Sequence, residues 1–403
     1  MKTGAPTLKE RGEVLSAARR LKMARSAHAY VRGNTEKFYA WLDSDSARDL
    51  PQGPPVWICG DCHLGNLGPV ANAKGKVGIQ IRDLDQTVIG NPAHDLIRLS
   101  LSLATAARGS DLPGVTTAKM LEEIMAGYQA ALDGGSDEDD DDAKPKFVRL
   151  LMRRALGRRW RHLAEERIED VRPQIPLGRK FWKLEAGERD EIAALFQEEP
   201  IREMVTALNQ RDDDADIEVL DAAYWMKGCS SLGLLRYAVL LQVGEADSTG
   251  LSTYALVDIK QAAKSAAPRA PGARMPRNNA ERVVTGARAL SPYLGRRMRA
   301  ATLGGRQVFL RELMPQDLKL ELDQLTPDEA ILAARYLAGV VGRAHGRQMD
   351  EATRASWRDQ LGRRWPKGLD APFWLWGSIV DLIALNEVAY LEHCRRYALE
   401  ATR

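Results

Sequence analysis

The sequence predicts an α+β fold with a larger, mostly helical part and a smaller antiparallel β part. Two observations predict this class. Apolar residues recur at helical spacing over long stretches at both ends of the chain, whereas residues 216–320 carry strand-length apolar runs separated by glycine-containing turns. With 403 residues, 44% of them hydrophobic and 28% charged, the chain has the composition of a globular protein with a buried core.

The same change of pattern divides the chain into three parts. Residues 1–215 are expected to be helical and include an acidic linker at 133–146, whose consecutive carboxylates repel one another. Residues 216–320 are expected to form a β-rich part with one helix. Residues 321–403 add helices that complete the larger part.

The N-terminal residues 8–45 carry an imperfect helical stripe, which the sequence Arg32-Gly33-Asn34 interrupts. Two interpretations of Arg32 stay open. It is either a contact for a phosphate or carboxylate group, or an exposed arginine at a helix end.

Oxygen-bearing side chains are concentrated in residues 57–99. An apolar strand ends at Gly60-Asp61, Asn66 follows in the same loop, and a hairpin then leads to the sequence DLD at 83–85. Phosphoryl transfer uses such a set, because one carboxylate orients or deprotonates the attacking hydroxyl while an amide and a carboxylate hold Mg²⁺ on the phosphates.

Helices are expected after the hairpin at 93–108 and 115–132, and then at 147–169 and 188–208. Asp95 lies in the first turn of the first of these helices, where the helix dipole favours a carboxylate. A simple helix cap is one interpretation of Asp95 that stays open.

The β-rich part combines a glycine loop with a lysine. The loop contains Gly228 and Gly233, strands are expected at 235–243 and 254–260, and Lys260 ends the second of these strands. A glycine loop lets backbone N–H groups approach phosphates, and a lysine neutralises their charge.

The remaining elements follow from the same patterns. Strands are expected at 217–220 and at 307–314, the second running into a hinge, and helices are expected at 278–290, 327–348 and 370–400.

Taken in order, these motifs resemble the catalytic segment of protein-kinase-like phosphotransferases, above all of aminoglycoside and choline kinases. The matching residues are GDCHLGN at 60–66, IRDLD at 81–85, Gly90 and Asp95-Leu96. The chain is more closely similar to the bacterial DUF2252 family, over about residues 22–350. The ordered set of motifs is specific, whereas each motif alone is a weak signal.

The resemblance implies a kinase-like two-lobe fold that uses ATP and Mg²⁺. It implies that the catalytic residues are Asp61, His63 and Lys260 and that the metal-binding residues are Asn66, Asp83 and Asp85. It implies nucleotide binding by Gly228, Ser230, Ser231, Gly233, Lys260 and Glu281, with Glu281 as the candidate partner of the lysine. Supporting roles fall to Asp95 and Arg32.

The motifs also depart from a conventional kinase. A conventional kinase carries its glycine loop and lysine before the catalytic loop, whereas this chain carries them after it. The resemblance therefore implies a circular permutation, which proteins tolerate when the original termini lie close together at the surface. Ser230 stands where a kinase has the middle glycine of its loop.

Three functions stay open. The resemblance favours phosphoryl transfer from ATP to a hydroxyl-bearing small molecule. A pseudokinase that binds nucleotide without efficient transfer is the second, and transfer of AMP, which kinase-like folds also host, is the third.

Other classes of protein are disfavoured. A net charge of +3 is too small to argue for a nucleic-acid partner by itself. No apolar run has membrane-spanning length and the N-terminus lacks a secretory pattern, so a cytoplasmic protein is expected. The sequence CGDCH at 59–63 matches a haem-attachment motif, but without export or a second ligand pair Cys59 is expected to be a core residue.

Overall fold

A computed structural model of the chain describes residues 6–132, 144–158, 174–208, 211–228, 232–244, 254–318, 325–362 and 371–397. Most of the acidic linker lies outside these ranges, as do Ser230 and Ser231. The described part contains thirteen α-helices and antiparallel β-sheets, which confirms the predicted α+β class.

The helices account for half of the described residues. They are α1 Leu8–Met23, α2 Ala27–Gly33, α3 Thr35–Leu42, α4 Ala93–Gly109, α5 Gly114–Leu132, α6 Lys146–Leu156, α7 Ala186–Leu195, α8 Glu199–Thr206, α9 Asn279–Leu290, α10 Pro292–Gly295, α11 Pro327–Gly346, α12 Glu351–Gly362 and α13 Phe373–Tyr397.

The strands form one large sheet and two hairpin-sized sheets. They are β1 Val56–Ile58, β2 Leu67–Ala71, β3 Val77–Ile81, β4 Val88–Gly90, β5 Phe181–Trp182, β6 Ile217–Trp225, β7 Arg236–Val243, β8 Tyr254–Gln261, β9 Met298–Leu303 and β10 Arg306–Glu312. The large sheet has the antiparallel order β5-β6-β7-β8-β10-β9, while β1 pairs with β4 and β2 with β3.

The predicted hairpin between β2 and β3 is confirmed. Leu67 pairs with Ile81 and Ala71 with Val77. Asn72 closes the turn, because its side-chain oxygen accepts hydrogen bonds from the backbone N–H groups of residues 74 and 76, each at 2.9 Å. The hairpin therefore delivers residue 83 back towards the loop that precedes β2.

The helical core is built around α4, α5 and α11. The leucines of α4 are fully buried, as the apolar spacing of residues 93–108 predicted. Helices α5 and α11 approach so closely that a Cβ atom at Gly127 would lie 2.1 Å from the carbonyl oxygen of Arg335, and one at Gly342 would lie 2.7 Å from that of Tyr128. Glycine is required at this crossing because there is no space for a side chain.

A second core lies between the large sheet and α7 and α8. Ile192, Phe196 and Met204 from this segment pack with Val239 and Val257 of the sheet. Strand β5 joins the same sheet, so the β-rich unit includes residues before 216. The helical spacing of residues 188–208 does not reveal its partner, because an amphipathic helix buries its apolar face equally well on a sheet or on helices.

Some strands were not predicted. Strands β4, β5 and β9 have at most six residues, and β6 extends to Trp225 rather than ending at residue 220. In the described ranges, no helix is both long and apolar enough to cross a membrane.

We expect Gly127→Ala to destabilise the protein by about 2 kcal/mol, because the added methyl group forces α5 and α11 apart. Chemical denaturation measures the change. Gly12→Ala is the matched control, because Gly12 is exposed in α1 and no neighbouring element lies within 4 Å of the added group, and alanine there should stabilise by about 0.5–1 kcal/mol. Equal effects of the two substitutions would contradict the close crossing.

Candidate functional site

A cavity of about 420 Å³ lies between the loop that precedes β2, the segment around α2 and the strands β7 and β10 of the large sheet. Seven basic and three acidic side chains line it. Among the residues predicted for the site, the cavity brings together Asp61, His63, Asn66, Asp83, Asp85, Arg32 and Gly228. A cavity with this excess of cations and a few carboxylates suits a phosphate-bearing ligand with a metal ion.

The loop that carries Asp61 is held from behind by Asp95. One carboxylate oxygen of Asp95 accepts a hydrogen bond from the backbone N–H of Cys59 at 2.7 Å, and the other accepts one from Gly60 at 2.9 Å. Gly60 adopts a φ of 75°, and a Cβ atom there would lie 2.2 Å from the carbonyl oxygen of Gln86. The turn before Asp61 therefore requires glycine.

A chain of buried side chains continues behind Asp95. His345 Nε2 lies 3.2 Å from a carboxylate oxygen of Asp95, and its Nδ1 lies 2.9 Å from the Tyr128 hydroxyl. Trp357 donates to the same hydroxyl at 3.1 Å. Burial raises the pKa of Tyr128 well above its usual range, despite the hydrogen bond from Trp357, so this hydroxyl stays protonated.

Asp61 is almost fully buried and is paired with Arg98 of α4. Arg98 Nε donates to Asp61 Oδ1 at 2.9 Å, and Arg98 Nη2 donates to the carbonyl oxygen of Val31 at 2.7 Å. Asn66 Nδ2 donates to the Asp61 carbonyl oxygen at 3.0 Å. Arg98 is not among the residues predicted for the site, although a single arginine inside the apolar run DLIRLSLSL is a signal for a buried ion pair.

His63 lies beside Asp61, with 3.8 Å between His63 Nε2 and Asp61 Oδ2. Burial lowers the pKa of His63 from 6.5 to about 3, even though the Asp61 carboxylate opposes the shift. His63 is therefore neutral near pH 7, and its buried Nδ1 has no hydrogen-bond partner in the described part of the chain.

Asp83 and Asp85 meet Lys260 of β8. Lys260 Nζ lies 3.4 Å from one Asp83 oxygen and contacts Asp85 directly. Burial favours the protonated form of Asp83, but the charges of Lys260 and Arg311 outweigh it and hold the pKa well below its usual range. Burial and the neighbouring Asp83 charge raise the pKa of Asp85 to about 6.

A second ion-pair group lies on the sheet side of the cavity. Arg236 of β7 makes two hydrogen bonds to Asp258 of β8, at 2.8 and 2.5 Å, and Arg311 of β10 lies 3.4 Å from the same carboxylate. None of these residues was predicted for the site. The sequence feature that could have identified them is a charged residue at a buried position of an otherwise apolar strand.

The glycine loop is only partly described. Gly228 lines the cavity, and its carbonyl oxygen accepts a hydrogen bond from Lys22 Nζ at 2.7 Å. Gly233 has a φ of 110°, which favours glycine, and no atom lies within 4 Å of a Cβ built there. The predicted contacts of Ser230 and Ser231 lie outside the described residues.

Glu281 is exposed in the first turn of α9, and Lys260 pairs with Asp83 and Asp85 instead of with it. Its neighbour Arg282 points inwards. Arg282 donates to the carbonyl oxygens of Asp85 at 3.0 Å and Ala263 at 2.9 Å. The helix therefore contacts the site through the side chain of Arg282, which donates to backbone carbonyl groups of the site.

The oxygen-bearing side chains of the cavity can be compared with the ligands that Mg²⁺ prefers. In the described ranges, no group of three or more His, Cys, Asp or Glu side chains is arranged to hold a metal ion. Mg²⁺ does not need such a group, because it keeps several waters and is held by one or two carboxylates together with substrate phosphates. Asp83 and the Asn66 side chain supply oxygen atoms to the same cavity, so these residues fit the ion.

Fold and cavity together define a mixed α+β protein with a cationic cavity built around buried carboxylates. The chain belongs to the DUF2252 family, described as an uncharacterized protein conserved in bacteria, whose model matches residues 11–396. This confirms the family predicted from the motifs. Searches of curated proteins and of solved structures gave no match.

We expect Arg98→Met to destabilise the protein by about 3–5 kcal/mol, because it leaves the Asp61 carboxylate buried without its partner. Arg335→Met is the matched control: Arg335 pairs with Glu123 at 2.7 Å, but both side chains are partly exposed, and such a pair contributes at most about 1 kcal/mol. Urea denaturation compares the two. A cost at Arg98 no larger than that at Arg335 would contradict the importance of the buried pair.

We expect His63 to make the protein less stable in mild acid. The unfolded chain takes up a proton at this histidine below about pH 6.5, whereas the folded protein does so only near pH 3. Stability is therefore fully present above pH 6.5 and is lost as the pH falls towards 3. Between about pH 7 and pH 5 the loss should be about 2 kcal/mol smaller in His63→Gln than in the wild type, measured as the free energy of unfolding. Equal losses would show that His63 is protonated in the folded protein.

Proposed function

We propose that the protein is an ATP-dependent phosphotransferase that moves a phosphoryl group to a hydroxyl group of a small molecule. One observation carries the proposal. Lys260, from the large sheet, lies 3.4 Å from Asp83 although 177 residues separate them, and Asp83 shares its cavity with Asp61 and Asn66. Asp83 thus joins the buried cation of Lys260, which is not itself among the residues that line the cavity, to the metal-type ligand Asn66 and the candidate base Asp61.

The chemistry of phosphoryl transfer matches this set. The protein must position two substrates and stabilise the charge on the transferred group. Asp61 would orient the acceptor hydroxyl and accept its proton. Asn66 and Asp83 would hold Mg²⁺, which neutralises phosphate charge when bound, and Lys260 would contact the α- and β-phosphates.

The ion pair between Lys260 and Asp85 suits a nucleotide site. When phosphates enter, Lys260 Nζ gains a stronger anionic partner than the two carboxylates that it contacts in the structure. Arg236 and Arg311 add positive charge at the same wall of the cavity. These side chains would stabilise the developing charge, because a preorganised cation needs no reorganisation during the reaction.

The kinase-like interpretation rests on the sheet as well as on the motifs. Protein kinases carry the phosphate-binding lysine on a strand of the small lobe and pair it with a glutamate of the following helix. Here Lys260 lies on β8 and α9 follows, but Glu281 is exposed and Arg282 points inwards. We therefore propose a permuted kinase-like arrangement in which Asp85 is the carboxylate partner of the lysine.

We expect Mg·ATP to raise the melting temperature of the wild-type protein, because a ligand that binds only the folded state stabilises it by mass action. The shift should require magnesium and should be lost in both Asp83→Ala and Lys260→Ala. Lys264→Ala is the matched control, since Lys264 is exposed just beyond β8, and it should keep the shift. No shift in the wild type at millimolar nucleotide would contradict the proposal.

We expect Asp61→Asn to lower turnover at least about 100-fold, because loss of a general base costs that much or more. The Mg·ATP-dependent rise in melting temperature should remain, since Asp61 faces the acceptor. The assay follows ADP and pyrophosphate separately, so that phosphoryl transfer is distinguished from AMP transfer. Undiminished ATP consumption by Asp61→Asn would overturn the assignment of the base.

A further inference from the structure

Arg25 and Arg32 line the cavity on the side of α2, next to the loop that carries Asp61 and His63. The guanidinium of Arg32 lies directly over Gly65. A Cβ atom at Gly65 would lie 2.7 Å from Arg32 Nη2. Because residue 65 is glycine, the Arg32 guanidinium has the space that it occupies in the cavity.

The positive charge of Arg32 is not matched by the carboxylates around it. Arg98 pairs with Asp61, and Lys260 pairs with Asp83 and Asp85. Arg32 Nε is buried without a hydrogen-bond partner in the described part of the chain. Other arginines also have a buried, unpartnered Nε, but Arg32 is the one of them that lines the cavity. There an anionic ligand that brings its own oxygen atoms can satisfy the guanidinium.

Arg98 also sets the separation of this cation from the proposed base. Through one guanidinium it donates to the Asp61 carboxylate and to the carbonyl oxygen of Val31, the residue before Arg32. Asp61 and the backbone that carries Arg32 are thus held by the same side chain. Such an arrangement places an anionic group at a defined distance from a hydroxyl group on one molecule.

We infer that the acceptor carries an anionic group, a carboxylate or a phosphate, in addition to its hydroxyl group, and that Arg32 with Arg25 binds this group. The inference rests on the proposed function, since it names the second substrate of the same site. It assigns the acceptor to the class of small hydroxy acids or phosphorylated alcohols. Neutral polyols and amino sugars without an acid group lack the partner for Arg32.

The test is calorimetric titration of the full chain saturated with Mg²⁺ and the non-hydrolysable β,γ-imido analogue of ATP. The probes are glycerate and glycerol 3-phosphate, each compared with uncharged glycerol. At least one anionic probe should bind saturably and more tightly than glycerol, and the one that does identifies the acid group. Arg32→Gln should raise the dissociation constant of that probe at least ten-fold, because a charge-assisted contact is lost.

Arg277→Gln is the matched control, since Arg277 is exposed and away from the cavity lining, and it should bind the probe as the wild type does.

Equal binding by Arg32→Gln and the wild type, or glycerol binding as tightly as the acids, would overturn the inference. So would the absence of saturable binding of both acids. If Arg32→Gln instead weakens binding of the nucleotide analogue, Arg32 belongs to the nucleotide site and the inference is wrong. Failure of the proposed function gives a different result, namely no binding of the nucleotide analogue by the wild type.

Discussion

The rest of the site depends on one buried carboxylate, that of Asp95. It accepts hydrogen bonds from two successive backbone N–H groups at the turn before Asp61, and it also contacts His345. A fully buried carboxylate is costly unless it is satisfied in this way. Because its partners come from the loop and from α11, Asp95 joins the helical core to the residues that face the cavity. The position of Asp61 is thus a consequence of core packing.

The charged side chains around the cavity form separate groups, and each group would have a different role in the proposed reaction. Asp61 and Arg98 are neutral as a pair, whereas Lys260 between Asp83 and Asp85 leaves one negative charge. That excess suits a metal ion, and the pKa of Asp85, raised to about 6, reflects its burial and then the cost of holding two carboxylates together. In the proposed function, the cations on the surrounding walls would balance the phosphates of the nucleotide.

The parts of this arrangement that local patterns determine were predictable. The hairpin of β2 and β3, the leucine face of α4 and the meeting of Asp61, Asn66 and Asp83 follow from residues close together in sequence. Arg98 was missed because helical periodicity describes faces and not the partner of a single buried charge. The expected contact between Glu281 and Lys260 depended on the rotation of α9, and a shift of one residue puts Arg282 inwards instead. The partner of α7 and α8 is set by packing between distant segments, which the apolar pattern does not encode.

The distances along the chain between these partners have a consequence for biosynthesis. Asp83 and Asp85 leave the ribosome 177 residues or so before Lys260, and Asp95 leaves 250 residues before His345. At about 5–20 residues per second, the loop that carries Asp61 waits for roughly 10–50 s until His345 has been synthesised. Until Lys260 has been synthesised, the carboxylates of Asp83 and Asp85 repel one another without their cation. The site is therefore assembled only when most of the chain has been made, and a nascent chain that stops short of α11 lacks the His345 contact to the carboxylate that holds the Asp61 loop.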